Sequence, residues 1–176
     1  SLLGMEIDEG VHYKIPVRII CMSLLLTKAE LLAKLQFEVY FFKIPELLYF
    51  TVEQFLNEDS NKLSEIMQRF CCPVIVRSSC IDEDGTKESS AGKYVSVLNI
   101  DPSNKRKLSK AICEVIDSYS ANEFQKNQVI IQEMVQDSTM SGVILTHDLN
   151  TGAPYYVINY DDQSGLTDTV TSGGGE

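Results

Sequence analysis

Apolar positions in this chain change period several times, and each change marks an element. Residues 1–14 mix polar and apolar positions and predict little fixed structure, while Ile15 to Leu26 is an apolar stretch, interrupted by Arg18, that predicts a strand. Thr27-Lys28-Ala29-Glu30 has the form of a capping box, so a helix starts there with Leu31, Leu32 and Leu35 on its buried side. Phe37 to Phe42 is aromatic and β-branched and predicts a strand, ended by Pro45; Leu47 to Thr51 predicts another. Thr51 opens a helical turn through Phe55 and Leu56, and a helix from about Ser60 to Phe70 carries a core stripe of Leu63, Ile66, Met67 and Phe70. Val74 to Val76 is a short buried strand. Tyr94 to Ile100 alternates as a strand, and Ser103 is placed to cap the longest helix, which runs to about Tyr119 over Leu108, Ala111, Ile112, Val115 and Ile116.

From Gln128 the pattern is purely β. Gln128 to Val135, Gly142 to Thr146 and Tyr155 to Tyr160 predict three strands, with a hairpin loop over His147–Gly152 and a turn over Asp161–Gly165, before Thr169-Val170-Thr171 and the terminal glycines. Helices and strands alternate in the first two-thirds and antiparallel strands fill the last third. The fold class is α+β, with two lobes meeting near residue 125. The predicted organisation is an extension over 1–26, a first lobe over 27–125 and a second, incomplete lobe over 126–176. The stop after a glycine run predicts a piece of a longer chain.

Composition narrows the function classes. The 176 residues carry a formal net charge of −10, which excludes the basic field that nonspecific nucleic-acid binding needs. Five cysteines without C-x-x-C spacing and only two histidines give no zinc motif, and the thiols read as reduced in a cytoplasmic protein. The apolar run Ile19–Leu26 is too short to span a bilayer, so no membrane partner is expected. In so acidic a chain, any anionic ligand must be held by a few well-placed cations.

Two places are suited to that. Val74-Ile75-Val76 delivers Arg77, Ser78 and Ser79 at a strand end, ahead of an acidic loop and the small-residue segment Ser89-Ser90-Ala91-Gly92. A cation, hydroxyls and closely approachable backbone form a layout for holding phosphate, or an ordinary strand and surface loop. Lys28 falls at the first helical position, beside the positive end of the helix dipole. That is a conflict which a bound anion relieves or which solvent screens. Lys105, Arg106, Lys107 and Lys110 read as a solvated face.

In order, VRSS at Val76–Ser79, SSAG at Ser89–Gly92, VIIQEMV at Val129–Val135, SGVILTHDLNTG at Ser141–Gly152 and DTVTSG at Asp168–Gly173 resemble the nucleotide-binding domain of phosphoenolpyruvate synthase and pyruvate phosphate dikinase, an ATP-grasp fold. TKAELLAKL at Thr27–Leu35 and KIPELLYFT at Lys43–Thr51 are similar to that family's opening helix and following strand. The resemblance implies that Lys28 and Arg77 contact ATP phosphates and that Ser89, Ser90, Ala91 and Gly92 close over them. It implies that Gln132, Glu133, Met134 and Val135 form the strand whose backbone reads adenine, and that Asp161 and Asp168 hold Mg²⁺. It further implies phosphorylation of a histidine on a carrier domain, which passes the group to pyruvate or another small acceptor. The sequence departs from the pattern at Leu26 and Thr27, where glycines are usual, at Leu47 for glycine and at Leu149 for proline. With the phosphohistidine and phosphoenolpyruvate-binding parts lacking, this piece is expected to bind ATP without completing a turnover. The competing class is a diverged, non-catalytic nucleotide-binding or regulatory module.

Overall fold

The computed structural model describes residues 26–40, 42–80, 95–119, 127–148 and 150–163. They form α1 (Lys28–Glu38), β1 (Leu47–Thr51), α2 (Val52–Arg69), β2 (Val74–Ser79), β3 (Ser96–Ile100), α3 (Lys105–Asp117), β4 (Gln128–Glu133), β5 (Ser141–Leu145) and β6 (Val157–Asp161). The fold is mixed helix and antiparallel sheet, the α+β class that the sequence pattern predicts. Its described residues fall into two compact units divided between Met134 and Val135.

The larger unit is built on a four-stranded sheet in the order β1-β4-β2-β3, antiparallel throughout. Strand alternation gives this sheet two different faces. Phe50, Val74, Val76, Val129 and Ile131 point to one face and form the main core with Phe55, Leu63 and Ile66 of α2 and Leu108, Ile112 and Val115 of α3. The register Leu47↔Gln132↔Ile75, Tyr49↔Ile130↔Arg77 and Thr51↔Gln128↔Ser79 lays these residues along the other face. There α1 contacts β1 and β4. Among the described residues, the hydrophobic ones buried outside the main core are Ala29, Leu32 and Leu35 of α1 with Ile44, Leu47 and Ile130.

Four local predictions are corrected. No strand forms over 37–42 among the described residues: α1 continues through Phe37 to Glu38, leaving Phe37 82% and Tyr40 87% exposed. Once a capped helix is nucleated, each further residue adds a bond at little cost, and this outweighs local β propensity. The helical turn opened by Thr51 and the helix expected from Ser60 both form, joined as α2 across a kink at Glu58 (φ −138°, ψ 40°), but Met67, read as part of the core stripe, stands partly outside it. Asn104, not Ser103, caps α3 by accepting from the Lys107 N–H; Ser103 instead donates its N–H and hydroxyl to Asp101. Finally, β4 does not join the strands that follow it. It lies between β1 and β2 because Val129 and Ile131 are needed on one face and Gln128, Ile130 and Gln132 on the other, and all five are buried.

Tyr119, just past α3, joins β2 to β4. Its hydroxyl accepts from the Ser79 N–H at 3.1 Å and donates to the Gln128 carbonyl. Tyr119→Phe leaves both buried groups short of a partner, so equilibrium urea unfolding should show a loss of about 1–3 kcal/mol.

The smaller unit contains the β5–β6 hairpin, registered Ser141↔Asp161 through Leu145↔Val157. Gly142 faces Tyr160, and a Cβ there would lie 2.8 Å from the Asn159 carbonyl oxygen, so only glycine fits. Asp148 holds the connecting loop. Its carboxylate accepts from the Asn150 and Thr151 N–H groups and the Thr151 hydroxyl at 2.7–3.0 Å, and Gly152, at φ +69°, donates its N–H to the Asp148 carbonyl. Those bonds, the Thr151 hydroxyl first, depress the Asp148 carboxyl below its ordinary value of 3.8. Its contribution is therefore complete above that value and is lost as pH falls through the depressed one. NMR on acidification should show the Asn150 and Thr151 amides losing protection only below the ordinary carboxylate range.

Candidate phosphate site on the second sheet face

The site is assembled where α1 begins above the ends of β2 and β4. Thr27 is the N-cap of α1, its hydroxyl accepting from the Glu30 N–H at 3.2 Å while Glu30 Oε2 accepts from the Thr27 N–H at 3.0 Å. This closed capping box is anchored to the sheet at three points. The Ala29 N–H donates to Ser79 Oγ at 3.0 Å, the Thr27 hydroxyl to Gln128 Oε1 at 2.6 Å, and Gln128 Nε2 to Glu30 Oε1 at 3.2 Å. Ser79 and Gln128 are buried polar residues, and these bonds are the reason a serine and a glutamine are tolerated at 0% and 7% exposure. The sequence placed neither Gln128 nor the Thr27–Glu30 pair at a site. Buried polar residues inside an apolar β pattern were the available signal.

The start of α1, which carries Lys28, and Arg77 of β2, far apart in sequence, lie on this one face. Lys28 is the first residue of α1, next to the Ala29–Ser79 bond. Arg77 lies two residues before Ser79 on the same side of β2, and its Nη1 donates diagonally across the ladder to Gln132 Oε1 at 3.4 Å. Gln132 is itself buried, so its side chain fixes the guanidinium from the strand side.

The first-turn amides of α1 are already bonded: those of Ala29 and Glu30 donate to Ser79 and Thr27 side chains, and Leu31 N–H donates to the Thr27 carbonyl. The Glu30 carboxylate supplies the negative charge that favours this helix end. The expected conflict at Lys28 is thus answered within the chain.

Along the proposed adenine strand the backbone is partly committed. The Glu133 N–H donates to the Glu46 carbonyl and the Met134 N–H to the Pro73 carbonyl, both at 2.9 Å, and Met134 Sδ accepts from the Asn99 N–H. These bonds hold the end of β4 rigidly between neighbouring segments of the larger unit. Val135 begins the smaller unit and its side chain is 57% exposed.

Asp161 closes β6, where one carboxylate oxygen accepts from the Gln163 N–H at 2.8 Å. Among the described residues no group of three metal-ligating side chains gathers. A carboxylate oxygen is nevertheless the donor type Mg²⁺ takes, and Mg²⁺ is ordinarily held by one or two carboxylates together with phosphates and water. Ser89, Ser90, Ala91, Gly92 and Asp168 lie outside the described residues.

The cations of α3 are elsewhere. Lys105, Arg106 and Lys110, with Asp59, Ser60 and Ser109, line an open groove of about 530 Å³ on the helical layer, and all three cations are exposed. No helix among the described residues is long and apolar enough to cross a membrane.

No curated protein and no solved structure matches the chain. A family pattern does: the AMP/ATP-binding domain of pyruvate phosphate dikinase matches residues 39–173, which leaves α1 and Lys28 before the matched span and includes β1 to β6. With more than half of its length matched, and an α+β fold that agrees with an ATP-grasp-like domain, the chain belongs to the family of pyruvate phosphate dikinase AMP/ATP-binding domains.

Proposed function

We propose that the chain is the ATP-binding part of a phosphoenolpyruvate-synthase-like phosphotransferase that works with Mg²⁺ in the cytoplasm. The observation that carries this reading is the convergence of Arg77 and the start of α1 on one sheet face, joined by the Ala29–Ser79 bond. Arg77 and Lys28 hold the phosphates, aided by the Ser89–Gly92 loop. Phosphoryl transfer asks the protein chiefly for positioning and for charge placed against phosphate oxygens, the roles this reading gives to Lys28 and Arg77.

The adenine edge falls to the backbone of Gln132–Val135. With the Glu133 and Met134 amides already bonded, the Glu133 carbonyl and the Val135 amide take that role. Asp161 and Asp168 would hold Mg²⁺, which would supply positive charge against the phosphates. The phosphoryl group then goes to a histidine of a carrier domain and on to pyruvate or another small acceptor.

Metal dependence tests the assignment. ATP should bind the chain more tightly with Mg²⁺ than with a chelator, and Asp161→Asn should shrink that difference about tenfold or more. An Asp161→Asn chain with an unchanged Mg²⁺ effect removes Asp161 from the site.

A further inference from the structure

Cys71 and Cys72 are adjacent in the chain, and their sulfurs lie 3.7 Å apart. Cys71 is exposed and Cys72 half-buried. The Cys72 thiol donates to Glu133 Oε1 at 3.3 Å, the next residue's carbonyl, on Pro73, accepts from the Met134 N–H, and Val74 pairs with Glu133 in the ladder. The thiol pair is thereby tied to the end of β4 by one side-chain bond and one backbone bond.

We propose that Cys71–Cys72 is a reversible oxidation site for peroxide, and that its oxidation loosens Glu133 and Met134. The Cys71 thiolate attacks one oxygen of hydrogen peroxide and the O–O bond breaks. Cys71 becomes a sulfenic acid, and the departing hydroxide takes up a proton as water. The Cys72 sulfur then attacks the sulfenyl sulfur and the S–O bond breaks; the thiol proton passes through the adjacent Glu133 carboxylate to the departing hydroxide, which leaves as the second water as the disulfide forms. Both thiols lose hydrogen, and the peroxide is reduced to two waters. A thiol reductant reverses the bond.

The geometry assigns the order. Cys71 is the more accessible sulfur, whereas the bond to Glu133 first, then Cys71 and burial, push the Cys72 thiol up to about 11 and keep it a protonated donor. Closing the bond brings the sulfurs from 3.7 Å to about 2 Å and removes the S–H that Glu133 accepts. Adjacent Cα atoms are held at ~3.8 Å, below the usual disulfide spacing, so strain passes into the Cys72–Pro73 segment and favours easy reduction. If the adenine assignment above is right, oxidation also weakens ATP binding, and that consequence alone rests on the proposed function.

Trypsin places both cysteines in one peptide, Phe70–Arg77. After peroxide treatment of the whole chain this peptide should lose two hydrogens, regained with dithiothreitol. NMR should show the Met134 amide exchanging about tenfold faster in the oxidised protein. Cys72→Ser should stop at a Cys71 sulfenic acid that dimedone traps. A peptide that stays reduced, passes to sulfinic acid, or pairs with Cys113 overturns the site; a disulfide that leaves Met134 exchange unchanged overturns the coupling. Failure of the reduced chain to bind ATP would sink the nucleotide reading and leave the thiol result standing.

Discussion

Arg77→Met weakens Mg-ATP binding by about ten- to a hundredfold, the loss expected when a charged hydrogen bond to phosphate is removed. Methionine keeps the long apolar stem that half-buried Arg77 packs into the sheet face, so the effect is separable from folding. One bond lost within the protein is the 3.4 Å contact with Gln132, a long one. Calorimetric titration gives the affinity, and urea unfolding of the same variant should stay within about 1 kcal/mol of the parent. An unchanged affinity in a stably folded Arg77→Met protein removes Arg77 from the phosphate site.

Ile131→Ala should be strongly destabilising, costing about 2–5 kcal/mol of the roughly 5–15 kcal/mol that holds a domain together. Ile131 is fully buried on β4, which is bonded on both edges, and its side chain enters the core between sheet and helices. No shift of β4 can refill the space without breaking pairing to β1 or β2. Urea denaturation measures the loss, and a change below about 0.5 kcal/mol would contradict the central placement of β4.

Elements whose local signals agreed were legible in the sequence. The capping box at Thr27–Glu30 formed as read, β1 and β2 formed as short apolar strands, and the buried face of α3 matched its helical period. Misreadings arose where the decisive partner is distant. Phe37–Phe42 is β-like in composition, yet the helix begun at Thr27 runs into it. The placement of β4 depends on pairing with strands some 50 and 80 residues earlier in the chain, an estimate at the scale where long-range contacts escape local pattern.

The candidate site was legible to the same degree. Arg77 was visible as a cation at the end of a buried strand. That Ser79 and Gln128 hold the start of α1 was not, because a buried hydroxyl or amide declares itself only once its partner is in place. The family match spans residues 39–173, and Lys28 lies before it, next in the chain to Ala29, whose N–H is bonded to Ser79.

Amide hydrogen exchange with and without Mg-ATP reads directly where ATP touches the chain. Slowed exchange is predicted over the start of α1 (Lys28–Leu31), around Arg77–Ser79 at the end of β2, and at Val135. Protection confined to the basic groove of Lys105, Arg106 and Lys110, or no protection at saturating nucleotide, would contradict it.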